Sequence, residues 1–286
     1  MMTLLDLFRE RLADLELKAG PALVAVSGGR DSVVLLDLLV ATKATHGLEL
    51  VVTHVDHGIS EDSAEVAGRV RALASQYGLP FSQTRFDLGP DTTETEARRR
   101  RYAWLEAERQ AQGAAVIFLA HHADDQAETV LMRALAGSGP AGLAGMAPRQ
   151  GPYARPLLGF GRDELERYAV EGGLSWWDDP ANADPQHLRS WLRIELLPRL
   201  RARIPDIEPR LLKVGEQARV DRGAWNALLD ALPALECRRE PDGCSVAAPV
   251  LARYDWALAA TLLQALARRA GCVLGWTRAE RVLRMV

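Results

Sequence analysis

The apolar run Ala22-Leu23-Val24-Ala25-Val26 passes directly into Ser27-Gly28-Gly29-Arg30-Asp31-Ser32, and then into an apolar helical pattern from about Ser32 to Thr45. A buried strand ending in a glycine pair clears side chains from the turn. The N–H groups that open the next helix and the hydroxyls of Ser27 and Ser32 then face one spot. Such a nest at the positive end of a helix holds a phosphate or pyrophosphate. Asp31 would repel that ligand unless Mg²⁺ lies between carboxylate and phosphates, so the spacing predicts the ion as well. The pattern is neither the Gly-Lys-Ser/Thr phosphate loop nor Gly-x-Gly-x-x-Gly. Glycine pairs also occur in ordinary strand–turn–helix joins, but the flanking strand and helix favour a nucleotide-binding loop.

Around this join the pattern alternates. Helix 3–18 comes first. Strand 49–54 ends in Val55-Asp56-His57-Gly58, and helix 61–77 leads to strand 81–86. Helix 93–111 has Thr92 or Thr93 as its N-cap and Gly113 as its stop, and strand 115–120 feeds His121-His122-Ala123-Asp124-Asp125-Gln126-Ala127-Glu128-Thr129 and its helix. Strands alternating with long helices predict an α/β fold with a doubly wound, Rossmann-like parallel sheet, whose ligands lie beyond the carboxyl ends of the strands. Three polar clusters, 27–32, 54–57 and 121–128, fall at such ends. Gly137, Gly139, Gly142 and Gly145 follow a helix, and read as a flexible, lid-like connection. Beyond Tyr153 the pattern is mostly helical, over 161–171, 187–201, about 208–230 and about 248–270. Pro198, Pro205 and Pro209 mark the expected boundary between a nucleotide-binding domain, 1–205, and a smaller C-terminal helical domain, 206–286. Residues 276–286 read as a helix barely started, so the chain is expected to be either naturally short or truncated.

At 48% hydrophobic, the chain can bury one α/β core and a smaller second one. It has no apolar run long enough to span a membrane, and its start reads as an amphipathic helix, neither signal nor transit peptide. Three cysteines, Cys237, Cys244 and Cys272, form no close pair, which points to a reducing cytoplasm without zinc or iron–sulfur ligation. A net charge of −3 argues against nonspecific coating of nucleic acid but leaves room for a local basic face. Arg189, Arg193, Arg199, Arg201 and Arg203, with Arg210 and Lys213, make one basic stretch, and Arg98 to Arg101 another. Either is a solvated helix face or a contact for phosphates.

His121, Asp124, Asp125 and Glu128 have the i, i+3, i+4, i+7 spacing that lets one helix face present an imidazole and carboxylates together. Carboxylates beside bound ATP suit Mg²⁺, and an imidazole can donate to developing negative charge. Helix-start decoration explains Asp124 and Asp125 but neither His121 nor Glu128. His54, Asp56 and His57 end the second strand, where such folds contact the adenosine half of a nucleotide.

The Ser-Gly-Gly-x-Asp-Ser loop resembles that of the ATP pyrophosphatase superfamily, whose fold is adenine nucleotide α-hydrolase-like. His54-Val55-Asp56-His57-Gly58, Glu94-x-x-Ala97-Arg98-x-x-Arg101-Tyr102, the 121–129 block, Gly142-Leu143-Ala144-Gly145-Met146, Arg155-Pro156-Leu157-Leu158, Trp177-Asp178-Asp179-Pro180-Ala181-Asn182, Arg193 and Leu197-Pro198 follow in order. Together, over about residues 20 to 200, they resemble the tRNA(Ile)-lysidine synthetase family. Departures are Ile59-Ser60, Ala181 and Ser190, and a larger C-terminal RNA-binding domain found in many members is missing. The resemblance implies ATP-dependent ligation of L-lysine to the wobble cytidine of a CAU-anticodon isoleucine tRNA, through an adenylated base. It further implies that Ser27, Gly28, Gly29, Arg30 and Ser32 hold the pyrophosphate, with Mg²⁺ on Asp31 and on Asp125 or Glu128. Arg98 and Arg101 would line the substrate channel, and Arg189, Arg193 and the 199–203 arginines would contact RNA. Trp176 or Trp177 would offer a stacking face to a splayed base, although a buried core tryptophan is the favoured reading of either. The oligomeric state stays open between monomer and homodimer. Rival readings are another tRNA-modifying ATPase with this loop, disfavoured because no cysteine precedes residue 237, and a nonenzymatic adenine-nucleotide sensor.

Overall fold

The structure is a computed structural model that describes residues 2–56, 58, 63–86, 92–177, 188–232, 235, 237–240 and 243–285. Helix α1, Leu4–Ala13, starts at Thr3 with a reciprocal cap: the Thr3 hydroxyl accepts from the Asp6 N–H at 3.2 Å, and Asp6 accepts from the Thr3 N–H at 3.1 Å. It stops at Ala13 with Asp14 as its C-cap, well short of the expected residue 18, and Glu16 then takes a left-handed φ of 47°. Strand β1, Gly20–Ala25, leads through the loop to α2, Arg30–Ala41. That helix ends at Thr42, whose buried hydroxyl donates to the Leu38 carbonyl at 2.7 Å, and the short α3, Lys43–His46, follows. Next come β2, Leu48–Asp56, α4, Ser63–Gln76, and β3, Phe81–Arg85. Helix α5, Glu94–Ala111, is capped by Thr93, one of the two expected residues. Then follow β4, Val116–Phe118, α6, Ala123–Leu135, the hairpin β5, Arg149–Gln150, with β6, Tyr153–Ala154, and α7, Arg162–Glu171.

The sheet order is β3-β2-β1-β4-β6-β5, parallel except for the β5–β6 pair. Neighbouring strand residues face opposite layers. Ala22, Val24, Leu50, Val52, Val116 and Phe118 pack with Phe8, Leu35, Leu39, Val70 and Leu165 on one side. Leu23, Val51 and Ile117 pack with Leu105, Ala114 and Leu119 on the other. Both faces are covered, so the strands read as continuous apolar runs. The order reverses between β1 and β4, where the crevice of a doubly wound sheet opens. The β5–β6 hairpin lay outside the sequence expectation, since two-residue strands carry no periodicity.

Helix α8, Leu188–Trp191, runs through a π-helical turn, Leu192–Leu196, into α9, Leu197–Arg201. The chain forms two compact units, residues 1–126 with 147–198, and 127–146 with 199–286. The second thus takes in the segment 127–146, which a single boundary at 205 does not express. It contains α10, Ile207–Asp230, the hairpin β7, Cys237–Glu240, with β8, Gly243–Val246, and α11, Ala248–Leu251. Helix α12, Trp256–Arg269, is capped by Asp255, so the expected helix 248–270 is broken in two, and α13, Trp276–Leu283, follows. Leu229, Leu251, Leu262, Leu266 and Ala279 form this unit's core. The glycine-rich stretch is tied to α6: Arg133 donates to the Gly142 and Gly145 carbonyls at 2.8 and 2.9 Å. Gly215 lets α10 approach it, since a Cβ there would meet Val130 at 2.8 Å and the Leu143 carbonyl at 3.5 Å.

Candidate functional site

The loop after β1 is fastened by its own hydroxyls. Ser32 donates to the Gly29 carbonyl at 2.7 Å and accepts from the Ser27 N–H at 3.2 Å, and the Ser27 hydroxyl accepts from the Gly29 N–H at 3.3 Å. Gly28 has a φ of 94°, and a Cβ on it would meet Val66 at 2.8 Å. That position therefore requires glycine on both conformational and steric grounds. The Gly28 carbonyl accepts from the Trp177 N–H at 2.9 Å, so Trp177 straps the loop through its backbone while Arg69 covers its ring at 4.9 Å. His54 is buried below the loop, its Nδ1 2.8 Å from the Val26 carbonyl. Burial lowers its pKa against the opposing pull of that carbonyl and of Asp56. Asp56 is buried too, accepting from the Gly58 N–H at 2.7 Å with Arg85 at 3.8 Å. His57, Ile59, Ser60 and Asp178 to Asn182 lie outside the described residues.

Across the switch point, the chain leaves β4 in non-helical form through residues 121 and 122, and α6 begins at Ala123. His121 is therefore off the helix face expected for it. The ring that meets the carboxylates belongs to His122, which is 1% exposed and lies 3.4 Å from Asp31, 3.5 Å from Asp124 and 3.6 Å from Asp125. Burial disfavours its charge, but the close approach and negative charge of these carboxylates outweigh that and raise its pKa to about 9, although its Nδ1 makes no well-aligned hydrogen bond. The ring is an imidazolium at neutral pH. The sequence missed it, although the pair His121-His122 was the available signal. His121 is pushed the other way, to about 3, by burial and by Arg155, Arg189 and Arg101 against the pull of Asp125, and its buried Nδ1 has no hydrogen-bond partner.

Asp125 is the most heavily held acid of the site. Its Oδ1 accepts from Arg189 at 3.0 Å and from Arg193 at 3.3 Å, and its Oδ2 from the His122 N–H at 3.1 Å. The two arginines come from α8 and from the π-helical turn, an irregularity common at functional sites. Burial pushes the Asp125 carboxyl up, and the surrounding cations pull it further down, so it stays ionised. Asp124 accepts from the Arg162 N–H at 2.9 Å. Asp31 is also lowered, burial being outweighed by His122 and Arg30. Arg30 spans Glu166, at 2.6 Å, and Asp31, at 3.2 Å.

Among the described residues no group of three or more His, Cys, Asp or Glu is arranged to hold a metal ion. Asp31 nonetheless suits Mg²⁺, which takes one or two carboxylates and completes its shell with phosphate oxygens and water. It is 31% exposed beside the loop. Asp125, with N–H donors on both oxygens, does not suit that role as it stands. Glu128 is buried one turn further along α6. Of the remaining expected residues, Arg98 and Arg101 flank Tyr102, with guanidinium carbons 4.9 and 5.4 Å from its ring centre. In the second unit, Arg201 is ion-paired with Glu208, and Arg199 and Arg203 are exposed.

Residues 4–200 match the PP-loop domain family, a span of more than half the chain. The chain belongs to this family. PP-loop proteins use ATP, and the glycine pair, hydroxyls and helix start seen here form such a loop. The chain is 41% identical over 258 residues to the tRNA(Ile)-lysidine synthase of Alkalilimnicola ehrlichii, covering 86% of this chain and 56% of that protein. It is 40% identical to the proteins of the same name from Deinococcus radiodurans, over 77% of this chain and 38% of the relative, and from Solibacter usitatus, over 86% and 55%. The chain thus spans about half the length of the curated relatives it matches. In fold it resembles a U34-tRNA thiolase from Methanococcus maripaludis, with a TM-score of 0.61 at 19% identity, covering 74% of this chain and 77% of that one. No helix among the described residues is long and apolar enough to cross a membrane.

Proposed function

We propose that this chain ligates L-lysine to carbon 2 of the wobble cytidine in a CAU-anticodon isoleucine tRNA at the expense of ATP. The observation that carries this reading is the 41% identity to a tRNA(Ile)-lysidine synthase over 86% of this chain, beside a PP-loop domain match over residues 4–200 that takes in both the loop and the 121–128 cluster. In the proposed sequence the cytosine O2 attacks the α-phosphate, pyrophosphate leaves, and an adenylated base remains. A lysine amine then attacks carbon 2, AMP departs with the bonding pair, and the amine loses its proton. No covalent bond to the protein is needed, so positioning and charge stabilisation carry the work.

Each residue has a role that follows from its place. The N–H groups at the start of α2, with Ser27 and Ser32, receive the departing pyrophosphate, and Gly28 and Gly29 keep side chains out of its way. Asp31 is the carboxylate that would hold Mg²⁺, which when bound neutralises phosphate charge. The His122 imidazolium holds Asp31, Asp124 and Asp125 together in place of mutual repulsion. Arg189 and Arg193 fix Asp125, which moves their proposed role from RNA phosphates to the site itself. His54 supports the loop from below through the Val26 carbonyl, and Asp56, which holds the turn at Gly58, and His57 are proposed nucleotide contacts. Arg199, Arg201 and Arg203 are proposed RNA contacts of the second unit.

A thiolase reading is disfavoured because residues 1–236 contain no cysteine to carry sulfur or a cluster. The deciding assay supplies labelled lysine, ATP, Mg²⁺ and isoleucine tRNA transcript, with a CAU-anticodon methionine tRNA as control. Label in the first alone is the expected result. AMP release without lysine transfer would replace the nucleophile. Failure of both would refute the assignment for this chain.

A further inference from the structure

A cleft of about 330 Å³ opens between the N-terminal half of α5 and the β5–β6 hairpin, lined by Arg98, Tyr102, Gln150, Gly151, Tyr153 and Arg155. Its floor is unusual. Arg155 is 5% exposed, yet among the described residues no carboxylate pairs with it: one Nη donates to the Ala147 carbonyl at 3.1 Å, Tyr102, Tyr153 and Arg98 are further polar neighbours, and its Nε has no partner. Burying a guanidinium without an anion is costly, and a native fold keeps such an arrangement where a ligand supplies the anion. Burial and the nearby Arg98 accordingly lower the Arg155 pKa. The wall is aromatic: Tyr102 and Tyr153 meet edge to face at 5.0 Å, both half-buried, and Arg98 lies over Tyr102 while donating to its hydroxyl at 3.3 Å.

We propose that this cleft seats one unstacked nucleotide of the RNA substrate, with its phosphate against Arg155 and Arg98 and its base against the Tyr102–Tyr153 wall. The inference rests on the tRNA-modifying reading above and deepens it. Two observations select a nucleotide over free lysine. Among the described residues no acidic side chain lines the cleft, so lysine's carboxylate would find a guanidinium but its two ammonium groups would have no partner. The volume and the aromatic wall also match a base, which stacks on tyrosine whatever its identity, as single-stranded recognition requires. Gln150 adds an amide that can donate and accept at a base edge.

The test measures binding of full-length chain to labelled CAU-anticodon isoleucine tRNA and to its isolated anticodon stem-loop, over a range of salt, with ATP affinity recorded in parallel. Arg98→Gln, at an exposed position, and Tyr102→Leu are each expected to weaken RNA binding at least threefold. Arg155→Met is expected to weaken it tenfold or more and to reduce the salt slope by about 1. ATP affinity should stay within twofold throughout. Should Arg155→Met fail to fold, the other two variants decide. RNA affinity unchanged in both would overturn the proposal. So would a parallel loss of ATP binding, which would make the cleft part of the ATP site, or a rise in lysine KM alone, which would make it a carboxylate site. Wild-type chain that forms no lysidine and binds no RNA would refute the parent reading, and this inference with it. Wild-type activity with unaffected variants would refute the inference alone.

Discussion

Gly28→Ala tests whether the loop's shape is set by backbone conformation, by packing, or by both. The residue sits at φ 94°, a region that costs an L-residue about 1–2 kcal/mol. Its new Cβ would lie 2.8 Å from Val66 Cγ1, well inside carbon contact, and 3.4 Å from Val70 Cγ2, at the edge of it. Forcing an extra methyl into a packed site costs about 1–3 kcal/mol. The substitution should therefore destabilise the first unit by about 2–5 kcal/mol, a large part of the roughly 5–15 kcal/mol typical of a domain. Urea unfolding followed by tryptophan fluorescence reads the loss, and calorimetry with ATP reads the loop. Val66→Ala separates the two contributions. In a double-mutant cycle, the Gly28→Ala/Val66→Ala pair should show a favourable coupling of about 1–3 kcal/mol, because the shorter side chain relieves the clash. The conformational part should persist. A change below about 0.5 kcal/mol for Gly28→Ala, or a coupling indistinguishable from zero, would refute this reasoning.

Three further outcomes are expected. His122 is protonated in the folded chain up to about pH 9, above its ordinary 6.5, so its stabilisation is complete below pH 6.5 and is lost as pH rises through 9. Urea midpoints of nucleotide-free chain should fall across that window, and His122→Leu should flatten the slope; parallel slopes in both proteins would sink the assignment. Arg189→Ala and Arg193→Ala together should cost more than the sum of the single changes, since either alone leaves Asp125 one guanidinium, and strict additivity in a thermodynamic cycle would argue against a shared role. Asp31→Ala should abolish turnover while leaving the far-ultraviolet dichroism close to wild type; an unchanged rate would remove Asp31 from the reaction.

Much of the architecture was legible because local patterns encode it. The apolar run 22–26, the glycine pair and the helix after it specify a strand, a tight turn and a helix start without distant help. Repetition of that unit specifies parallel pairing, and hence a crevice at the strand ends. The fastening of the loop by Ser27 and Ser32 also follows from residues close in sequence. Helix ends were less legible: α1 ends at Ala13, and the left-handed Glu16 that follows keeps the chain from continuing helically to residue 18, which periodicity does not reveal.

Tertiary structure decided what depends on distant segments or on a single-residue offset. His121 and His122 are equivalent by type and spacing, and only the point at which the chain passes from extended to helical at Ala123 turns the second ring onto three carboxylates. Asp125 read as a metal ligand until Arg189 and Arg193, more than sixty positions away, arrived on its Oδ1. Arg155 enters the sequence reading only as part of the Arg155-Pro156-Leu157-Leu158 motif, and its burial becomes visible only once β6 joins β4. The reason is common to all three. Periodicity and propensity act over one or two turns of chain, whereas the charge state and partners of a buried group are fixed by whichever remote atoms exclude its water.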